Sequence, residues 1–134
     1  MDGQTRQLVQ RRANNRCEYC HLPQAGHTER FSIDHVVPSK HGGDDSSSNL
    51  ALACLRCNLY KGSNLSGIDP NNGQTVSLFD PRRQLWQQHF DWKGPLLIGL
   101  TPEGRATISV LRMNAPERFQ LRQTLLIEGL LSLD

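Results

Sequence analysis

The chain has 134 residues, a formal net charge of +2 and a mean hydropathy of −0.53. That length suits one domain, predicted over 1–134, with room for a modest hydrophobic core. No stretch approaches the roughly 18 consecutive apolar residues of a membrane helix. The first residues lack the apolar segment of a signal peptide, so we expect no membrane contact and a cytoplasmic location.

The chain begins with a polar segment, Gln4 to Asn15, whose apolar residues are spaced for a short amphipathic helix. Its arginines form a cationic cluster that would suit contacts with phosphate. The more common interpretation of such a cluster is a solvated helix face. The charge of +2 is weak evidence for nucleic acid on its own, and the clustering is the stronger indication.

A strand, a turn, a short second strand and a helix are predicted next. Residues 31–37 alternate in polarity and are rich in β-branched side chains, which predicts a strand ended by Pro38. A turn rich in glycine and serine follows over 40–48. A helix is predicted from Leu50 to about Tyr60, with Ser48 or Asn49 as its cap and a stop signal at Gly62. This order makes a ββα unit, with the partner strand near the turn.

The remaining residues, about 63–134, are predicted to form a supporting extension. It should open with a loop over 63–74, because that stretch is rich in Asn, Gly and Ser. The elements expected after it are a strand at 76–79, a helical turn at 82–90, a hairpin at 90–100, a helix from Thr101 and a helix from about Pro116 to Leu130. Thr107 to Val110 would also suit a strand, but the start signal at Thr101-Pro102-Glu103 favours a helix.

All four cysteines fall in two CxxC pairs: Cys17, Cys20, Cys54 and Cys57. This spacing is typical of a tetrahedral zinc site. Four sulfur ligands would leave no open position on the ion, so the metal would be structural. Two disulfides are the alternative, which a reducing compartment disfavours. A thioredoxin-like redox motif would need a single CxxC beside a βαβ unit.

Asp34 and His35 stand together at the end of the predicted strand. A carboxylate suits a hard divalent cation, and an imidazole that titrates near neutral pH suits a general base. The amide oxygen of Asn58 is a fair ligand for Mg²⁺ or Mn²⁺. Singly, each residue has an ordinary structural explanation. Jointly, between the cysteine pairs, they indicate metal-assisted hydrolysis of a phosphodiester, with His35 activating water.

The central stretch resembles the HNH endonuclease family in a specific order of motifs. Two CxxC pairs enclose Asp-His-x-x-Pro, Gly-Gly and Asn-Leu, and the second pair runs on as CxxC-Asn-x-x-Lys. The resemblance covers about 11–62 and implies an α+β chain with a small ββα-metal core held by a four-cysteine zinc site. The last motif position is often His in the family and is Asn58 here, an HNN variant.

The resemblance also implies roles for individual residues. His35 would be the general base, Asp34 and Asn58 the ligands of a catalytic Mg²⁺ or Mn²⁺, and Asn49 the brace of the loop that holds the base. Cys17, Cys20, Cys54 and Cys57 would hold the structural zinc. Charge and position near the core, rather than the resemblance, suggest contacts with nucleic acid for Arg11, Arg12, Arg16, Lys40, His41, Arg56 and Lys61. For His41 an ordinary surface histidine is the more common interpretation, and for Lys61 a lysine favoured by the helix dipole is an equal one.

The resulting hypothesis is a metal-dependent DNA endonuclease or nickase. One such site cuts one strand, so a double-strand break would need two events, a homodimer or a partner protein. Two other functions stay open at this point. The first is a zinc-stabilised nucleic-acid-binding module without turnover, and the second is a zinc ribbon that binds proteins through its apolar C-terminal helix.

Overall fold

The computed structural model describes residues 2–133, which fold into five α-helices and three two-stranded antiparallel sheets. In chain order the elements are α1 (Gly3–Arg12), β1 (Ser32–His35), β2 (Leu50–Ala53), α2 (Leu55–Lys61), β3 (Ser66–Ile68), β4 (Thr75–Ser77), α3 (Trp86–His89), β5 (Phe90–Lys93), β6 (Leu96–Gly99), α4 (Pro102–Val110) and α5 (Pro116–Ile127). The α+β class and the strand–strand–helix order of the core are confirmed.

The predicted N-terminal helix is present as α1. The Asp2 carboxylate accepts a backbone N–H of the first turn at 2.7 Å, which satisfies one of the free donors there. The helix ends before Asn14 and Asn15, which both take a φ of 53°, a conformation that asparagine tolerates. Arg12 donates to the carbonyl of Leu50 at 2.7 Å, so α1 is tied to the central hairpin.

The central hairpin pairs β1 with β2, with Asp34 opposite Ala51 and His35 opposite Leu50. The helix predicted from Leu50 was wrong over 50–53, which are β2. All four residues of β2 are buried, so both faces of the strand are covered and its short apolar run lacks the alternation of a half-buried strand. Such a run cannot be distinguished from a buried helix by periodicity alone.

The helix α2 begins at Leu55, with Cys54 as its N-cap, and ends before Gly62 as predicted. The second cysteine pair therefore lies at the start of this helix. Asn49 does not cap it, because Asn49 lies in the loop before β2. Asn58 lies inside α2, one turn before Lys61, which the helix carries in its last turn.

The extension contains three differences from the predicted elements. Residues 66–68 were expected in a loop but form β3, which pairs with β4; the turn-forming residues predicted there form the tip of this hairpin. The helical turn is shorter than predicted, covering 86–89, and α5 ends before Leu130. The hairpin of β5 and β6 and the helix α4 are confirmed.

One buried cluster contains residues from both the hairpin and the extension. It includes Leu50 and Leu52 of β2, Phe90 of β5 and Leu125 of α5. Trp86 packs against this cluster. Within residues 2–133, no helix has the length and apolar character needed to cross a membrane.

Candidate functional site

The four cysteine sulfurs converge at one buried point, between the turn that contains the first CxxC pair (residues 17–20) and the start of α2. All four thiols are free, and their Sγ atoms lie within 4.8 Å of one another. The Sγ atoms of Cys20 and Cys54 are 3.7 Å apart. A tetrahedral zinc ion with Zn–S bonds of about 2.3 Å would space its sulfurs by about 3.8 Å, whereas a disulfide needs about 2 Å. The residues fit a four-sulfur zinc site, and the disulfide alternative does not hold.

Hydrogen-bond donors surround these sulfurs. The N–H of Cys20 donates to Cys17 Sγ and the N–H of Cys57 donates to Cys54 Sγ, each at 3.4 Å. The guanidinium of Arg118, from α5, places Nη2 at 3.0 Å from Cys57 Sγ and 3.6 Å from Cys54 Sγ. Donors and positive charge of this kind favour the thiolate over the thiol, and the thiolate is the form that binds zinc.

Asp34 is 5% exposed and faces α2. The Tyr19 hydroxyl donates to its carboxylate at 2.7 Å, and Lys61 Nζ lies 3.1 Å from it. Lys61 is 2% exposed and also donates to the carbonyl of His35 at 3.0 Å. Burial raises the pKa of Asp34, against the opposing effects of Lys61 and Tyr19. In this structure the cation beside Asp34, the predicted metal ligand, is the ammonium group of Lys61.

His35 is the last residue of β1, so its imidazole lies at the loop end of the hairpin, with its side chain 32% exposed. Its Nε2 lies 2.7 Å from Oδ1 of Asp45, whose side chain is 89% exposed. An ionised carboxylate can only accept, so this contact places the imidazole proton on Nε2 and leaves Nδ1 able to accept one. The arrangement suits a general base that acts through Nδ1.

The loop between β1 and β2 is held by Asn49. Its Oδ1 accepts the N–H of Val37 at 2.9 Å, and its Nδ2 donates to the carbonyls of Val37 and Asp44 at 3.0 and 2.8 Å. Gly43 completes the loop, because a Cβ there would lie 1.6 Å from the Val37 carbonyl oxygen. The side chain of Asn49 thus holds both ends of the loop that carries Asp45. Its catalytic contribution stays a prediction.

Asn58 lines an open groove of about 560 Å³ with Arg6, Arg30, Phe31, Ser32 and Ile33. Asp34 and His35 do not line this groove. No lining side chain is acidic. Across residues 2–133, neither guanidinium of the groove takes part in an ion pair or a side-chain hydrogen bond. The groove is therefore cationic and open beside the second predicted metal ligand.

The cations predicted to contact nucleic acid fall into two groups. Within residues 2–133, four make no hydrogen bond or ion pair through their side chains: Arg11, Arg16, Lys40 and Arg56. The other three are engaged within the fold. Arg12 is bonded to β2 as described, Lys61 is buried against Asp34, and His41 Nε2 donates to the carbonyl of Ser63 at 3.0 Å. Lys61 as placed offers no surface to a phosphate.

Three partners of the site were not predicted: Tyr19, Asp45 and Arg118. Tyr19 lies inside the first CxxC, but its hydroxyl is linked to Asp34 only through the fold. Asp45 is one of two adjacent acids in a polar turn, with no sequence pattern that selects it. Arg118 is 61 residues after Cys57. The sequence offers one signal for Arg118: when α5 is drawn as a helical projection, this arginine falls on the apolar face that should be buried.

The central segment is similar to a known protein family. A family model described as HNH endonuclease matches residues 17–64, which confirms the predicted resemblance over this segment. No curated protein and no solved structure matches the chain. HNH proteins are generally nucleases that act on DNA. The match supports a nuclease-type or nucleic-acid-binding function for this chain.

Proposed function

We propose that this chain is a metal-dependent DNA endonuclease or nickase that hydrolyses phosphodiester bonds. The observation that carries the proposal is the imidazole of His35, half-exposed at the mouth of an HNH hairpin and held through Nε2 by Asp45. Among residues 2–133 its Nδ1 has no hydrogen-bond partner, so that nitrogen can accept a proton from water.

His35 acts on a water molecule in this proposal. With Nε2 bonded to Asp45, Nδ1 takes the proton from water, and the hydroxide attacks the phosphorus of the scissile phosphodiester. The P–O bond to the leaving sugar oxygen breaks, and that oxygen takes a proton from solvent. Asp45 stabilises the imidazolium that forms, and Asn49 holds the loop that positions Asp45. The base is expected to contribute about 10²- to 10⁴-fold of rate.

A divalent ion would be held by Asp34 and Asn58, whose carboxylate and amide oxygens suit Mg²⁺ or Mn²⁺ rather than softer ions. When bound, such an ion stabilises the charge on the leaving oxygen. The two residues come from β1 and α2, which contact each other in the fold, but Asp34 does not line the groove beside Asn58, so joint binding would require the two side chains to converge on the ion. Lys61 at 3.1 Å supplies a positive charge at the same carboxylate, so the ion and the ammonium compete for Asp34.

The cationic groove beside Asn58 would receive the DNA backbone. Arg6 and Arg30 are free to contact phosphate, and unpaired guanidiniums bind it in a bidentate manner. The exposed Arg11, Arg16, Lys40 and Arg56 would add contacts further along the strand. Replacing Arg6 and Arg30 by Gln should weaken duplex binding and flatten its salt dependence by roughly 0.9 per lost phosphate contact.

Plasmid nicking in Mg²⁺ or Mn²⁺ tests the proposal. The His35→Ala variant should lose about 10²-fold or more of the nicking rate, with an unchanged melting temperature. His27→Ala is the matched control, because His27 lies at the edge of the Phe31 ring, away from the hairpin mouth. Equal nicking by His35→Ala and the control would remove His35 from the mechanism.

The pairing of Asp34 with Lys61 favours a second candidate, a zinc-stabilised nucleic-acid-binding module without turnover. In that case the carboxylate is structural and no divalent ion is needed. The wild-type chain would then bind DNA in a salt-sensitive way and would leave supercoiled plasmid intact in Mg²⁺ and in Mn²⁺. Nicking that appears only with a divalent ion excludes this candidate.

A further inference from the structure

We propose that Arg118 completes the zinc centre by balancing the charge of its sulfurs, so that α5 of the extension controls how firmly the chain retains zinc. The inference does not depend on nuclease activity, because it concerns only the four-cysteine centre. Arg118 lies outside the matched segment 17–64, and its role is that of a positioning residue for the cysteine ligands.

Arg118 reaches the sulfurs from a fully enclosed position. It is 2% exposed, and its Nη2 lies 3.0 Å from Cys57 Sγ and 3.6 Å from Cys54 Sγ. Its Nη1 donates to the carbonyl of Leu111 at 2.6 Å. The two terminal nitrogens of one planar group therefore bond in two directions, which fixes the orientation of the guanidinium relative to the sulfurs.

Charge explains why a cation belongs there. One Zn²⁺ and four thiolates carry a net double negative charge, and all four cysteines are buried. An uncompensated charge in a buried site is costly, whereas a hydrogen-bonded partner of opposite sign offsets much of that cost. Among residues 2–133, Arg118 is the only charged side chain with a hydrogen bond to these sulfurs.

The helix that carries Arg118 is held by a second buried arginine, one turn later. Arg122 is 0% exposed and donates to the carbonyls of Pro95 and Met113 and to the side chain of Asn114, at 2.7, 2.6 and 2.9 Å. It makes no bond to sulfur. The two arginines share a helix and a degree of burial, and the charges of the cysteines act on both, but only Arg118 bonds to sulfur, which makes Arg122 a matched control for that hydrogen bond.

Zinc retention by the full, zinc-loaded chain tests the proposal. Release to a chromogenic chelator would be followed in wild type, Arg118→Met, Arg118→Lys and Arg122→Met. Loss of a group that bonds to a metal ligand typically weakens binding by about 10- to 100-fold, so Arg118→Met should show an increase of that order in the release rate. Arg118→Lys should recover part of the loss, since it keeps the charge without the fork geometry.

Cobalt substitution gives a second measurement that general loosening of α5 would not reproduce. In Co²⁺-loaded protein the sulfur-to-metal charge-transfer band should move to longer wavelength in Arg118→Met, because sulfurs without the donor hold their electrons less tightly. In Arg122→Met the band should stay at the wild-type wavelength, even where the melting temperature falls.

Several outcomes would overturn the proposal. They are equal zinc release from Arg118→Met and wild type, equal acceleration in Arg118→Met and Arg122→Met, an unmoved cobalt band in Arg118→Met, and a wild-type chain that retains no zinc. Each can occur whether or not the chain nicks DNA, so the test is separate from that of the proposed function.

Discussion

The two halves of the HNH segment differ in how they are built. The zinc half uses four identical ligands, all buried, whose sulfurs are oriented by the N–H groups of their own knuckles. The proposed catalytic half contains His35 and Asp34, which contact Asp45, Tyr19 and Lys61 from other parts of the chain. The cysteine cluster is therefore oriented mostly by local donors, with Arg118 as its one distant partner, whereas the proposed open site depends on neighbours brought in by the fold.

Breaking the zinc half should have the largest effect. The Cys57→Ser variant is expected to lose the metal and its cooperative thermal transition, because binding of a structural zinc is worth about 10–16 kcal/mol in small domains and most domains are stable by only about 5–15 kcal/mol. Metal analysis and near-ultraviolet circular dichroism measure this. The control is wild type stripped by chelator and then reloaded with zinc, which should regain its transition. A variant that still melts cooperatively without zinc would contradict the structural role of the metal.

Breaking the ion pair of the catalytic half should cost less. Lys61→Met is expected to lower the free energy of unfolding by about 3–5 kcal/mol, because it leaves the buried Asp34 carboxylate without its cation. Adding Mn²⁺ should restore part of that loss if Asp34 is a cation site. The measurement is chemical denaturation with and without Mn²⁺.

The double variant Asp34→Asn with Lys61→Met supplies the control for that experiment. It removes both charges, so it should be more stable than Lys61→Met alone, and Mn²⁺ should leave it unchanged. An equal response to Mn²⁺ in the single and double variants would show that the ion binds elsewhere.

Replacing Asn49, whose side chain holds the loop between β1 and β2, should affect nicking activity more than stability. This would distinguish the proposed catalytic half from the zinc half. Asn49→Ala removes three hydrogen bonds from the loop that carries Asp45. We expect stability to fall by about 1–3 kcal/mol and the nicking rate by roughly 10²-fold. Asn71→Ala, in the exposed tip of the β3–β4 hairpin, is the control. A nicking rate equal to that of the control would mean that the loop keeps its shape without the brace.

The smallest effect is expected in the extension, at the ion pair of Asp69 with Arg105. Arg105 donates to both carboxylate oxygens at 3.0 and 2.8 Å, which lowers the pKa of Asp69 below its usual value of 3.8. A depressed carboxyl pKa stabilises the folded state above the unfolded pKa and loses that effect as pH falls through the folded value. Asp69→Asn should therefore be less stable than wild type at pH 7, with the difference shrinking below about pH 4.

Thermal melts of the two proteins across that pH range measure the difference directly. Both keep the same cysteine cluster, so acid loss of zinc affects them equally and cancels in the comparison. A stability difference that stays constant from neutral to acid pH would show that the ion pair contributes nothing through its charge.

Much of this arrangement was predictable from particular residues. The cysteine spacing predicted the buried sulfur cluster, and the apolar spacing after Gln4 predicted the helix α1. The pair Thr101-Pro102 predicted the start of α4. These signals are local, because each depends on backbone preferences or ligand spacing within a few residues.

The misassigned parts depended on contacts that are distant in sequence. β2 was predicted as helix because its apolar run carries no alternation once both faces are buried. β3 was predicted as loop because its sequence, Ser66 to Ile68, has little strand propensity without its partner β4. Arg118 was overlooked because arginine on a helix is ordinarily solvent-exposed, and only its approach to Cys57 gives it a role.

Cys54 has two functions at once, and this affects how the chain folds. Its side chain is a predicted zinc ligand, and it also caps α2 by accepting the N–H of Cys57. The helix has seven residues, too few to nucleate in isolation. Metal binding would therefore supply the nucleus for the helix that bears Asn58 and Lys61. The concentration of free zinc during synthesis should then set the rate at which the catalytic half forms.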